Sequence, residues 1–228
     1  MAVAPIDHSH PTDVVYEQYI TLEQQQESYI VGMWTFLVTE VMFFGALFLI
    51  YTLYRFRYQE AFYEMHKDLN VTLGGINTMN LLFSSFMMAL AVHFAQLKDK
   101  MKQLACLSVV ELCAGGFLVI KYIEYSAKFE HHLFPGAFFQ PPKEAIAGHF
   151  EGAASCFFSL YFAMTGLHGV HVLIGMLCIG ALMFFVATDH KVITDYIPTE
   201  MIGLYWHFVD IVWIFLFPLY YLIPAVHH

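Results

Sequence analysis

Charged residues are scarce in this chain. Asp, Glu, Lys and Arg make up 13% of the 228 residues, whereas a soluble domain carries about 25%. Hydrophobic residues reach 59%, which excludes both an ordinary soluble globule and a disordered chain. Only four cysteines are present, none in a CxxC pattern, so a disulfide scaffold or a cysteine-held zinc site is excluded. Basic residues number 10 against 19 acidic ones, which argues against a nucleic-acid surface.

Long apolar runs are what the sequence does contain. Crossing a bilayer takes about 20 mostly apolar residues in a helix. Continuously apolar runs favour helices, because the strands of a spanning barrel alternate in hydrophobicity. We therefore predict an all-α integral membrane bundle of five transmembrane helices within residues 29–223, between an N-terminal tail (1–28) and a C-terminal tail (224–228). The predicted spans are about 29–55, 75–97, 103–126, 153–188 and 200–223. Since residues 1–29 lack Lys and Arg, we expect no cleaved secretory signal.

Five spans place the two termini on opposite sides of the membrane. With the N-terminus inside, the inner loops 98–102 and 189–199 hold four lysines, against six basic residues in the other two loops. The raw count opposes that orientation. The density of three lysines within five residues favours it, because short loops carry the strongest signal. Charge alone leaves the orientation undecided.

Three carboxylates interrupt the apolar runs: Glu40, Glu111 and Asp210. An acidic side chain at the centre of a spanning helix costs about 2.5–3.5 kcal/mol on insertion scales, so each is a functional candidate by default. The alternative is that each is an uncharged, hydrogen-bonded residue that holds helices in register. Both interpretations stay open at this point.

The 13 histidines raise the question of a metal or haem site. Nine of them lie in predicted tails and loops. His168 and His171 share one helix face because they are three residues apart, and the same spacing relates His207 to Asp210. Glycines flank the first pair and a carboxylate accompanies the second, which is typical of hydrogen-bonded helix packing. We favour packing over metal ligation and predict neither a catalytic nor a metal site in this chain.

Several segments resemble one family in the order in which they occur. Residues 166–175 (GLHGVHVLIG) and 205–213 (YWHFVDIVW) resemble the two signature helices of cytochrome c oxidase subunit III. Further matches are Gly32-Met33-Trp34, residues 39–44 (TEVMFF), Asn77-Thr78 opening the second span, Glu124-Tyr125 ending the third, and Glu200 preceding the last. The resemblance covers residues 29–221 and is to the bacterial five-helix form. The mitochondrial form has two more helices, which stand across a lipid-filled cleft.

The resemblance implies a non-catalytic subunit of a haem–copper terminal oxidase in the aerobic respiratory chain. It implies no cofactor on this chain, with haem and copper in the catalytic subunits and structural phospholipid bound. The expected role is support of proton uptake, of lipid binding and of the stability of the catalytic subunit in an electron-transport, proton-translocating complex. Expected partners are oxidase subunits I and II and phospholipids, and no nucleic acid. Residues 121–151 form a predicted loop for which we weigh contact with a donor cytochrome or a respiratory supercomplex against an inert connection.

The resemblance also implies residue roles and a location. Glu40 matches a buried, carbodiimide-reactive glutamate near the lipid site, so we predict a lipid- or proton-related role for Glu40 and Glu111, with Glu40 largely uncharged. Helix-packing roles fall to the remaining polar residues, His168, His171, His207, Asp210, Glu124 and Glu200. The expected location is the bacterial inner membrane, with the N-terminus cytoplasmic and the C-terminus periplasmic.

Two alternatives to this function remain. One is an accessory subunit of a quinol oxidase or of a nitric oxide reductase. The other is an independent proton or ion transporter that uses Glu40, Glu111 and Asp210 as a relay, although transporters usually show two related halves with interrupted helices. The electron donor and the haem types are not readable from this chain, nor is the source of the two missing helices.

Overall fold

The structure is a computed structural model that describes residues 19–130, 132–136, 139–142, 145, 150–188 and 196–224. Its described part is all-helical, with five helices long and apolar enough to cross a membrane. The predicted fold class is therefore confirmed. The helices are α1 (Leu22–Arg57), α2 (Gln59–His66), α3 (Val71–Gln96), α4 (Lys100–Glu130), α5 (Glu151–Ala187) and α6 (Ile197–Tyr221). Residues 1–18 and 225–228 of the two predicted tails lie outside the described residues.

The helix ends differ from the prediction. The first helix begins at Leu22, where the Thr21 hydroxyl caps it by accepting from the Gln24 amide at 3.2 Å. The second spanning helix, α3, begins at Val71, because the side-chain Oδ1 of Asn70 accepts from two backbone amides of its first turn. Asn77, which was expected to open this helix, lies in its buried interior. Because an N-cap satisfies the first backbone amides, a helix can begin among polar residues that hydropathy alone does not include in the predicted span.

Two other helices extend beyond the expected spans. Helix α4 continues to Glu130, past the predicted end of its span at residue 126 and through the first ten residues of the predicted loop 121–151. Glu200 lies within the first turn of α6 rather than before it. A helix of 37 residues, as in α5, is about 55 Å long at 1.5 Å per residue and exceeds a hydrocarbon core of about 30 Å. These helices are tilted or project from the membrane.

The short helix α2 was not predicted. It buries Ala61, Phe62 and Met65, and the Phe62 ring meets Phe157 near the start of α5 at 5.2 Å between centroids. Strict alternation of spans puts the ends of α1, α4 and α6 on one side, here termed the C-side, together with α2. The other side, with the start of α1, is the N-side.

The core lies around α6. Half of the apolar window of α6 is buried, against 17% for α1. Helix α3 packs on α4 and α6, and α5 packs on α4 and α6, whereas α1 makes fewer contacts. Gly175 of α5 lets the Trp206 ring approach closely, since a Cβ built there would stand 2.8 Å from that ring. Helix α1 is thus the peripheral member of the bundle.

Candidate functional sites in the bundle

Glu40 and His171 form a pair between α1 and α5. Glu40 Oε2 lies 3.1 Å from His171 Nε2, and both residues stand near the middle of their helices. The exposed fractions are 19% for the Glu40 side chain and 12% for that of His171, so the pair is reachable from outside the bundle. The Tyr205 hydroxyl donates to the His171 carbonyl at 3.0 Å, which ties α6 to the same point.

The hydrogen bonds of His171 restrict the protonation of this pair. Nδ1 of His171 lies 2.9 Å from the Leu167 carbonyl oxygen, which only accepts, so Nδ1 carries a hydrogen. Nε2 then either accepts from a protonated Glu40 or, in an imidazolium, donates to the carboxylate. In both arrangements the pair has zero net charge and holds one proton between the two side chains. An arrangement of this kind can sit within a bilayer without an uncompensated charge.

A second cluster lies near the C-side, where α4 meets α5 and α6. Lys121 Nζ is 2.8 Å from Glu124 Oε2 and 2.8 Å from the Tyr221 hydroxyl, which donates to Glu124 Oε1 at 2.6 Å. The Tyr161 hydroxyl is 3.4 Å from that of Tyr221, and the Lys121 ammonium lies over the Trp213 ring at 4.6 Å. All five side chains are buried. Glu124, assigned to helix packing, is thus one partner of a buried ion pair.

Sequence reasoning missed the cationic part of this cluster. Lys121 and Lys128 were counted as loop charges, yet both are buried, and Lys128 Nζ donates to the Asp68 carbonyl in the turn before α3. A signal was present in the sequence. Lys121, Glu124 and Lys128 stand at i, i+3 and i+7, which is one face of a helix.

The other polar residues predicted from the sequence differ in whether they form side-chain hydrogen bonds. His207 Nδ1 lies 2.7 Å from the Ser85 hydroxyl, and so its bond is not to Asp210 as the spacing had indicated. His168 has no hydrogen-bond partner among the described residues, whereas Asp210 lies at the Ser85 hydroxyl of α3. The helix-packing role of both residues stays a prediction. The His168 ring packs between Phe117 and Trp213 at centroid distances of 5.4 and 5.1 Å. The three-residue spacing put each pair on one face, but a neighbouring helix supplies the partner.

Glu111 and Glu200 are less tightly held. Glu111 Oε1 is buried without a side-chain hydrogen-bond partner in the described part of the chain, and it lies against the backbone of Gly180 in α5, 3.6 Å from the Cβ position there. Glu200 lies in the first turn of α6, where a negative charge is favourable to the helix dipole. Within the described ranges, no three His, Cys, Asp or Glu residues converge as metal ligands would.

Comparison with known proteins gives the family. The family model for cytochrome c oxidase subunit III matches residues 12–224. The chain is 31% identical over 197 residues to quinol oxidase subunit 3 of Bacillus subtilis, covering 85% of this chain and 86% of that protein. It is 29% identical over 208 residues to cytochrome c oxidase subunit 3 of the same organism, with 91% of each chain covered.

A third relative joins two subunits in one chain. The heme-copper oxidase subunit I+III of Aeropyrum pernix is 27% identical over 201 residues, which is 84% of this chain and 22% of that protein. The matched region contains both predicted signature helices, α5 and α6, and nearly all of the described bundle. The chain belongs to the cytochrome c oxidase subunit III family.

Proposed function

We propose that this multi-pass membrane subunit supports the catalytic subunit of a bacterial haem–copper terminal oxidase, and that the Glu40–His171 pair is where it does so. Subunit III proteins associate with the oxidase catalytic subunits, and the fused I+III relative joins a subunit I to this fold in a single chain. We extend this to partnership with subunits I and II and with phospholipid. The observation that carries the proposal is a one-proton pair, partly exposed at mid-membrane depth, on the least buried helix.

The pair suits two of the supporting roles. Its Glu40 side chain reaches the bundle surface between α1 and α5, so that a lipid or a helix of a partner subunit can bond to it. Because the pair holds one proton at zero net charge, it can also relay a proton, provided that a second proton is taken up as the first is released. Both roles need Glu40 itself, and the second needs its proton.

Substitutions at Glu40 separate these roles. Glu40→Gln keeps a donor for Nε2 of His171 but cannot release a proton, whereas Glu40→Leu removes both the bond and the proton. If proton support is the role, Glu40→Gln shortens the turnover lifetime of the oxidase while lipid content and subunit retention stay normal. If bonding is the role, only Glu40→Leu lowers lipid content or retention. Glu200→Gln is the control, and unchanged behaviour of both Glu40 variants would refute a role for this residue.

We also propose that the N-side faces the cytoplasm. The count of basic residues opposed this orientation because Lys121 and Lys128 were assigned to an outer loop. Both lysines lie buried in α4, which leaves four basic residues on each side, and three of those on the N-side, Lys98, Lys100 and Lys102, flank one short turn. Positive charge in a short loop favours the cytoplasm. A periplasm-active phosphatase fused after residue 228 should then be active and a fluorescent protein fused there dark, and the opposite pattern would reverse the orientation.

The transporter alternative gains no support from the side-chain contacts. A relay through Glu40, Glu111 and Asp210 needs a hydrogen-bonded path, and no hydrogen bond among the described residues joins any two of the three. The relatives include a quinol oxidase and a cytochrome c oxidase subunit at similar identity, so this subunit does not distinguish the electron donor. Purification of the native complex, with identification of its subunits and haem types, tests the oxidase assignment and separates it from a nitric oxide reductase.

A further inference from the structure

A groove opens on the C-side between the last turns of α1, the start of α2 and the end of α6. This C-side groove has Tyr51, Arg55, Phe56 and Gln59 on one wall and Leu219 and Ile223 on the other. Its volume is about 440 Å³, which is the size of a small-molecule site. Aromatic and aliphatic side chains form most of the lining, and Arg55 is the one charged residue among the described residues that line it. The groove therefore joins an apolar cavity to a single cation.

The C-terminal end of α1 lies at the depth of the lipid headgroups on the C-side. Arg55 follows Glu40, near the middle of the helix, by fifteen residues, which is about 22 Å along an α-helix. Half of a bilayer measures about 15 Å of hydrocarbon and about 20–22 Å with its headgroup region. The exposed rings of Tyr54 and Tyr58 stack at the same level, 6.4 Å apart, as aromatic residues do at a membrane interface. The guanidinium therefore stands where lipid phosphates are found.

Arg55 is half-buried and held in a defined position. Its guanidinium donates to the Tyr51 phenol oxygen, while the Tyr51 hydroxyl donates to the Leu219 carbonyl at the end of α6. The other N–H groups of a guanidinium form a planar fork that matches the oxygens of a phosphate. The Gln59 amide lines the same groove and supplies further donors. The groove thus offers a cation to a phosphate and apolar walls to an acyl chain.

The depression next to the C-side groove provides a comparison. Its lining includes Arg57, which lies over the Tyr58 ring at 5.8 Å, and also Glu60. A carboxylate beside an arginine lowers the net positive charge that an anion meets. The C-side groove has no carboxylate among its described lining residues, so an anion at Arg55 is attracted without that opposition. The ammonium of an ethanolamine headgroup would find no negative partner there.

We propose that the C-side groove binds one anionic phospholipid of the C-side leaflet, with its phosphate at Arg55 and an acyl chain against the apolar walls. The order of groups along the groove matches such a lipid. Tyr51 lies one helical turn deeper in the membrane than Arg55, and the Leu219 carbonyl that bonds Tyr51 is at that deeper level. An acidic segment of a partner protein would match the cation but not the apolar walls beneath it. The site lies about 22 Å along α1 from the Glu40–His171 pair, so either proposal can fail alone.

The test uses the native complex that contains this chain, reconstituted in phosphatidylcholine vesicles with a trace of a photoactivatable phospholipid. Two probes are compared, phosphatidylglycerol and phosphatidylethanolamine. The expected result is that the phosphatidylglycerol probe labels peptides carrying residues 51–59 or 219–224 and that the ethanolamine probe labels them clearly less. Equal labelling by the two probes would overturn the preference for an anionic lipid. Absence of label from these peptides, or label confined to a partner subunit, would overturn the site, and neither outcome depends on a variant.

Variants then test the cation itself. Arg55→Gln should lower labelling by the phosphatidylglycerol probe roughly tenfold or more, since a hydrogen bond between charged groups contributes at least one tenfold step in affinity. Arg57→Gln is the control, because it makes the same change in the same helical turn outside the groove, and it should leave the labelling unchanged. Arg55→Lys keeps the charge and should retain more label than Arg55→Gln. Labelling of Arg55→Gln at the parent level, or an equal fall in Arg57→Gln, would overturn the proposal.

Discussion

Replacing Lys121 by methionine tests the buried ion pair between Lys121 and Glu124. Methionine keeps the length of the side chain and removes its charge. Glu124 would then remain buried at 5% exposure with one hydrogen bond, from the Tyr221 hydroxyl, and with only the more distant Lys128 as a positive charge beside it. The Trp213 and Tyr221 rings, which the ammonium approaches at 4.6 and 5.3 Å, would lose a cation–π contact.

The size of the effect follows from the burial of both charges. Removing one partner of a buried ion pair costs about 3–5 kcal/mol, because the other charge is left uncompensated. In a chain of this length that amounts to a fall in unfolding temperature of about 6–20 °C. An exposed pair would give about 0–1 kcal/mol. The two cases are far enough apart to be told from each other.

The assay is thermal unfolding of the detergent-solubilised protein, compared with the double variant Lys121→Met/Glu124→Gln. The double variant removes both charges while its amide oxygen still accepts from Tyr221, so most of the lost stability should return. A single variant that unfolds within about 2 °C of the parent would refute a buried pair. A double variant no more stable than the single one would show that lost packing, rather than the unpaired charge, explains the effect.

The remaining predictions concern helix contacts and a turn. Gly175→Ala should lower the unfolding temperature, since its Cβ would stand 2.8 Å from the Trp206 ring, whereas Gly169→Ala, with open space around the added atom, should not; equal behaviour of the two would contradict the close contact. A hydrogen bond from the Lys102 side chain, together with its backbone amide, holds the pKa of Asp99 below its usual range. Its stabilising effect is therefore present above the unfolded pKa and is lost as pH falls through the folded one. Asp99→Asn should thus differ slightly from the parent at neutral pH and low salt and not at acidic pH, and a difference that grows on acidification would contradict this.

The number and order of the spanning helices could be read from the sequence because lipid leaves few options. A run of apolar residues long enough to cross must be helical, so hydropathy alone predicts the five helices. Their ends could not be read in the same way. Asn70 caps α3 five residues before the predicted span, and Glu124 and Lys128 lie in a helix that continues past the apolar run. Capping bonds and buried charge pairs both extend helices where hydropathy falls.

For the polar residues too, only part of the arrangement could be predicted from the sequence. Spacing along one helix predicted that His168 and His171, and likewise His207 and Asp210, share a helix face. It could not supply their partners, since Glu40 is 131 residues from His171 and Ser85 is 122 from His207. Which residues pair across helices depends on the rotation of each helix about its axis and on its depth in the membrane. The packing of the bundle determines both. The burial of Lys121 was not predicted, because its positive charge was taken as a sign of exposure to solvent.

The weak burial of α1 gives the Glu40–His171 pair a structural importance beyond its own bond. Among the described residues, the side-chain hydrogen bonds that join α1 to other helices include one from this pair and one from the Tyr51 hydroxyl to the Leu219 carbonyl. Apolar contact contributes less than elsewhere, because few residues of the α1 window are buried. Lipid tails compete equally well for the apolar surface of α1. We therefore expect the position of α1 to respond to loss of this proton-sharing bond, as in Glu40→Leu.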